Sequence, residues 1–272
     1  MKLEILMSCM HQSDDTLVQK SRITGDVLVV NQCGHNGLHE YDTPEGRAKM
    51  IFTTDRGLTK SRNMAIANSQ ADICLLCDDD EVFVPDYEKT ILSAYEELPQ
   101  ADVIIFKMVN YPAAFEDKII QLKFPQTMKV CSWQISFRRQ KLLEKGIGFD
   151  ELLGAGSGNG AEEELKFLLD CQRAGLKIYY VPYEIASVAQ AQSTWFEGFT
   201  EKFFEDRGAT TRYILGAGVA SVYAVYYAFK KKKQLGYALP VGKALAATFR
   251  GIREDKITKQ LREKKQREKL GV

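Results

Sequence analysis

Between residues 3 and 108 the chain alternates short apolar runs with stretches of helical periodicity. The runs at 3–7, 26–31, 49–53, 72–77 and 103–108 are expected strands, and 16–23, 58–68 and 87–98 are expected helices. Pro85-Asp86 supplies the start signal of the third helix. Apolar runs this short, without polar alternation, suit strands buried on both faces. Strands alternating with helices then give an α/β fold: a mostly parallel, Rossmann-like central sheet flanked by helices. Ligands of such sheets bind beyond the carboxyl ends of the strands, so the residues just after each strand are the ones to read.

The rest of the chain is less regular. We expect a strand at 129–137, a helix at 138–145 and a loop at 146–160 that holds six glycines. A helix at 162–174, stopped by Gly175, and a strand at 177–181 follow. Helices are expected at 197–206 and 210–232, then a basic helical tail from 241. The segment 32–42, polar and rich in glycine, is expected to be a loop. With 272 residues, 45% hydrophobic and 27% charged, the chain can bury a large core, which excludes disordered, collagen-like and disulfide-scaffold classes.

The six cysteines are scattered. Cys74 and Cys77 form a CxxC inside an apolar run, where cysteine acts as a small hydrophobe more often than as a redox or zinc ligand. The expected compartment is reducing and cytoplasmic, and the first residues do not read as a signal peptide.

The sharpest local feature is Asp78-Asp79-Asp80-Glu81, directly after the strand at 72–77. Four adjacent carboxylates repel one another and are costly at a strand end without a cation. A hard divalent ion, Mn²⁺ or Mg²⁺, with oxygen ligands and substrate phosphates, would compensate them. The plainer alternative is a solvated acidic loop. A second cluster, Glu162-Glu163-Glu164, opens a helix after the glycine loop. The helix dipole alone accounts for acidic residues there. A carboxylate beside a glycine-rich loop also suits a general base.

Four segments together resemble the family 2 glycosyltransferases. Residues Gly57 to Ala65 fit G-x-x-x-x-R-N-x-[AG]. Asp78, Asp80 and Glu81 stand before Pro85 with the spacing of D-x-D-D-x-x-x-P, Glu81 replacing the last Asp. Phe149-Asp150-Glu151-Leu152-Leu153-Gly154 is similar to F-D-E-x-F-G. Glu163-Glu164, followed by Gly175 and Lys177 to Pro182, is similar to E-[DE]…G-x-x-I-x-Y-x-P. The resemblance covers about residues 1–208 and implies a GT-A catalytic domain with a nucleotide-binding half (1–110) and an acceptor-binding half (111–208). Residues 209–272 would be a helical, basic extension.

The resemblance also implies roles. Asp80 would bind the metal, and Asp78 the ribose or the metal shell, with Asp79 beside them in the donor site. Ser8 and His11 would line the nucleotide pocket, Asp55 would face the base or ribose, and Arg62 and Asn63 would organise the pocket and the DxD loop. Glu163 or Glu164 would be the base, with Glu164 favoured. Asp150, Glu151 and Trp195 would meet the acceptor; Trp195 in the core is the equal alternative. Two departures stand out. No His follows the last core strand, where Gln190 or Ser193 stand instead, and the first strand ends Ser8-Cys9-Met10-His11 rather than Pro-Thr-Tyr-Asn.

The implied reaction is metal-dependent, inverting transfer from a nucleotide diphosphate sugar, a UDP-sugar first among donors, to a saccharide or lipid-linked saccharide acceptor. Cell-surface polysaccharide or glycolipid synthesis is the setting. Competing readings are a non-catalytic nucleotide-sugar or saccharide-binding protein on the same fold and a haloacid-dehalogenase-like phosphatase, since Asp78 to Val82 also fits D-x-D-x-[TV].

The net charge of +1 hides an asymmetry. From Lys230 onward there are 14 basic and 4 acidic residues. The segment 213–229 is uncharged, contains Gly216 and Gly218, and leads into Lys230 to Lys233. Peripheral contact of 213–270 with the inner face of the cell membrane is expected, with a core helix as the alternative. Nucleic acid ranks below both, because aromatics are not interleaved with the late charges.

Overall fold

The structure is a computed structural model and describes residues 1–112, 114–160, 162–189, 198–235 and 239–270. In chain order the elements are β1 (Leu3–Met10), α1 (Thr16–Lys20), β2 (Val27–Gln32), β3 (Gly37–Asp42), β4 (Arg47–Thr53), α2 (Leu58–Asn68), β5 (Ile73–Asp78), β6 (Glu81–Phe83), α3 (Tyr87–Glu97) and β7 (Val103–Met108). Then come β8 (Ile120–Leu122), β9 (Ile135–Arg138), α4 (Arg139–Lys145), α5 (Glu163–Arg173), β10 (Ile178–Val188), α6 (Glu201–Leu235), α7 (Val241–Glu254) and α8 (Lys256–Leu270).

Two compact units are present, one of 1–150 with 164–191, the other of 151–163 with 192–272. The boundary expected at residue 208 falls inside α6 and inside the second unit. The first unit holds a ten-stranded sheet in the order β3-β4-β2-β1-β5-β9-β7-β10-β6, with β8 on β10. Strands β4, β2, β1 and β5 are mutually parallel, as the apolar runs predicted. Alternate residues explain why those runs lack polar positions. Ile5 and Met7 of β1, Val27 and Val29 of β2, and Ile73, Leu75 and Cys77 of β5 fill one core. Leu6, Leu28, Val30, Cys74 and Leu76 fill the other. Cys74 and Cys77 therefore sit on opposite faces of one sheet and cannot share a metal or a disulfide. Burial pushes the Cys77 thiol well above its usual range.

Two expectations are corrected here. The segment expected as a loop at 32–42 contains β3, which pairs antiparallel with β4 at the sheet edge. Apart from the half-buried Tyr41 its side chains face solvent, Leu38 at 59% exposure, so hydrophobicity gave no signal. The strand expected over 129–137 starts only at Ile135. Two 3₁₀ turns, Gln126–Lys129 and Ser132–Gln134, precede it. Gln134 ends the second turn by accepting from the Cys131 N–H (3.0 Å) and donating to the Phe106 carbonyl (2.9 Å). The short strand β9 then inserts antiparallel between β5 and β7.

In the second unit α6 and α7 lie against each other. The helix break expected at 207–209 is absent, because Gly208 serves close approach instead: a Cβ there would lie 2.1 Å from the Thr248 carbonyl oxygen. Gly251 of α7 does the same against the Glu205 carbonyl, at 1.9 Å. The chain breaks later, at Gly216, whose φ of 79° and ψ of 161° leave helical space. Arg207 is caged by the rings of Phe203, Tyr223 and Tyr227 and paired with Glu162. Glu162 is therefore used structurally. No described helix is long and apolar enough to cross a membrane.

Candidate active site

The carboxyl ends of β1, β2, β4 and β5 converge, as the parallel order requires. Ser8 and Asp78 are register partners on β1 and β5. The Ser61 hydroxyl, on α2, donates to the buried Ser8 hydroxyl at 2.8 Å. One turn of α2 thereby reaches the strand ends.

Its neighbour Arg62 is 1% exposed, and its Nη2 donates to Asp78 Oδ1 at 2.9 Å. The guanidinium also stands 5.3 Å from the centre of the Phe149 ring. Asn63 turns the other way. Its Nδ2 donates to the Phe149 carbonyl (2.9 Å), and its Oδ1 accepts the Phe149 N–H (2.7 Å). That clasp leaves no room beside Gly148, where a Cβ would lie 2.9 Å from Asn63 Oδ1. So the R-N pair of the motif splits: Arg62 holds the DxD strand end and Asn63 holds the Phe149-Asp150 segment.

Asp79 and Asp80 occupy the turn between β5 and β6. Desolvation first, then repulsion from Asp78, raises the Asp79 carboxyl; desolvation, then Asp78 and Asp79, raises Asp80. Glu81 differs from both. It is 1% exposed, and its Oε1 accepts the Asp78 N–H at 2.6 Å, closing the turn. Burial first, and then Asp78, pushes its carboxyl well above the ordinary range. Glu81 is thus a brace of the loop.

These carboxylates fit a hard divalent cation in donor type. Among the described residues no group of three or more His, Cys, Asp or Glu side chains could hold a metal. A metal at Asp80 would thus take most of its ligands from substrate oxygens and water, the usual habit of Mg²⁺.

On the other side of Asp78 lies a group that sequence reasoning missed. Ser132 Oγ donates to Asp78 Oδ2 at 3.4 Å. Cys131 Sγ donates to the Tyr111 hydroxyl at 3.6 Å, and Tyr111 meets Trp133 edge-on at 4.7 Å. Burial chiefly lifts the Cys131 thiol to about 11, and the charges of Glu164 and Asp78 both add to it. No motif marks residues 131–133; a polar break in the expected strand was the only signal. The ends of β2 were missed as well. Asn31 is fully buried and exchanges hydrogen bonds with Gln12 (3.1 and 2.7 Å), while Gln32 accepts the Gly57 N–H at 2.8 Å.

The remaining candidates are placed as follows. His11 is exposed, in left-handed backbone at φ 54°, with its N–H on the Gln32 carbonyl. Asp55 is exposed after β4, and its N–H meets Thr53 Oγ1 at 3.1 Å. Glu163 is buried at the start of α5, and Glu164 is half-buried. Asp150 belongs to the first unit, whereas Glu151 lies in the second, 3.9 Å from Lys264. Trp195, Gln190 and Ser193 lie outside the described residues.

Residues 35–151, spanning the Arg-Asn helix, the DxD turn and the Phe149-Asp150-Glu151 segment, match the model "Glycosyl transferase family 2". That match supports a family 2 glycosyltransferase. This glycosyltransferase has the GT-A arrangement of a central sheet flanked by helices, with a C-terminal helical region. Its sequence matches none of the curated proteins. Among solved structures it is similar to S. aureus TarS 1–349, at 15% identity and a TM-score of 0.54, over 92% of this chain and 71% of that one. The TarS 1–349 complex with UDP-GlcNAc gives 16% and 0.57, over 90% and 69%. The complex with UDP gives 15% and 0.59, over 94% and 82%. At such identity the likeness is one of fold.

A first prediction concerns Arg62 of this glycosyltransferase. Arg62→Leu leaves Asp78 and Glu81 without their buried cation. A fully buried pair broken on one side costs about 3–5 kcal/mol; Asp78 is partly hydrated, so we expect about 2–3. Urea unfolding should show a lower midpoint at unchanged slope.

Proposed function

We propose that the protein transfers a sugar from a nucleotide diphosphate sugar to an acceptor hydroxyl, with inversion and with a divalent metal. The observation that carries this is the convergence on Asp78 at the carboxyl end of β5, with Arg62 on one side and Ser132 on the other. Ser8, His11, Asp55 and Arg62 surround the nucleotide end, and Asp78 and Asp79 the diphosphate end. Mn²⁺ or Mg²⁺ at Asp80, with Asp78 in its shell, would supply charge neutralisation on the leaving diphosphate.

Glu164 takes the acceptor proton as the acceptor oxygen attacks the anomeric carbon. The new carbon–oxygen bond forms as the bond to the diphosphate breaks, so the anomeric centre inverts in one displacement. Glu164 is preferred to Glu163 because Glu163 is buried. We take a UDP-sugar as donor, since TarS is described in complexes with UDP and UDP-GlcNAc. The acceptor is a saccharide or lipid-linked saccharide of polysaccharide or glycolipid synthesis, met by Asp150, Glu151 and Trp195. The protein works in the cytoplasm, peripheral to the membrane through 213–270.

A thermal-shift panel of nucleotide sugars, with and without Mn²⁺, tests this. Ligand at a hundred times its Kd adds about 2.7 kcal/mol, a Tm rise of about 5–10 °C for a chain of this size. UDP-sugars should give it only with metal. A rise without any turnover of the sugar nucleotide would point to the silent binding protein instead, and no rise with any nucleotide would sink the proposal.

A further inference from the structure

Beyond Gly216, α6 is apolar on two opposite sides. Ala220, Ala224, Tyr227 and Ala228 are buried, with Ile252, Ala244 and Ala247 of α7 among their neighbours. Away from them, Val219, Val222, Val225, Tyr226 and Phe229 are 46, 72, 44, 49 and 61% exposed. Their spacing of three and four residues lines them along one face. Scattered apolar residues on a surface need no explanation, but a continuous stripe does.

We propose that this face of α6 docks, in the plane of the surface, on an anionic lipid bilayer. Charge selects the occupant. Residues 207–253 carry nine basic side chains and no acidic one, and of the nine Arg207, Arg212 and Arg250 pair with acids outside that span. At the end of the stripe Lys230 Nζ donates to the Tyr226 hydroxyl at 2.6 Å and stands 4.9 Å from the centre of its ring. This places a cation and a phenol at the border of the apolar stripe, the pairing that suits a headgroup boundary. Anionic headgroups complement such a face. A second copy of the chain would instead bring another Lys230 to Lys233 cluster to the same contact. The segment lies on the surface rather than spanning it, since no described helix can cross. The inference deepens the membrane contact of the proposed function and needs none of its transfer chemistry.

The test is flotation of the full chain with phosphatidylcholine vesicles, with and without phosphatidylglycerol. The chain should float only with the anionic vesicles, and less at high salt. The double variant Val222→Glu/Phe229→Glu should lower the bound fraction at least about tenfold, because it sets two charges into the apolar contact. Both side chains are exposed, so the thermal melt should not move. If it does, Val222→Ser with Lys230→Gln should still weaken binding. Three results would overturn the proposal: no flotation with anionic vesicles, equal flotation of the variants, or a lipid-free dimer that the variants dissociate. Sugar-nucleotide turnover in the same samples reports the transfer reaction separately.

Discussion

Asp80→Ala lowers sugar transfer by at least about a thousandfold, since a bound metal contributes several kcal/mol and each 1.4 kcal/mol is a factor of ten. The same variant should be no less stable than the parent, and more stable without metal. The sign follows from the carboxyl itself. Desolvation and the neighbours Asp78 and Asp79 raise it in the folded state. A raised carboxyl costs stability at neutral pH, and the cost fades as pH falls through the raised value toward the unfolded one. Removing the group removes the cost. Rates with added Mn²⁺, together with melts in chelator, measure both halves. A variant that keeps full transfer would remove Asp80 from the metal site, and one that loses both transfer and stability would give it a structural part instead.

Glu164→Gln is the second large effect. The amide keeps the size and the position at the start of α5 but cannot take the acceptor proton, a loss of about 10²–10⁴ in turnover. The KM for the donor should change little, because the proposed nucleotide end lies at β1 and β5 rather than on α5. Glu163→Gln should be much milder in turnover, its cost falling on stability, since Glu163 is buried. If the two variants exchange these signatures, the base is Glu163. Steady-state rates at several pH values settle the pair. In Glu164→Gln the acidic limb of the pH profile should disappear along with the activity.

The parallel half of the sheet was legible because each strand is buried on both faces, and burial leaves its mark in composition. What was missed had no such mark. Strand β3 is paired through its backbone and wet on all its side chains but Tyr41. Gly208 looks like a helix stop in the sequence and is a contact in the fold, and only the partner helix distinguishes the two. The DxD turn and the Arg-Asn pair were visible as motifs. That Arg62 and Asn63 face different partners depends on which strand end and which loop lie beside α2. Ser132 and Cys131 join the site through two 3₁₀ turns that no periodicity announces.

The make-up of the second unit bears on the order in which the chain can finish folding. Residues 151–163 belong with residues far downstream: Glu162 with Arg207, Asn159 with Gln260, and Glu151 with Lys264. On a ribosome adding about 5–20 residues per second, roughly 5–20 s separate the emergence of the segment from that of its last partner. During that interval Glu164 follows a stretch whose anchors do not yet exist. A chain stopped before Arg207 would therefore present the parallel strands of the first unit while the run leading into α5 is still unmoored.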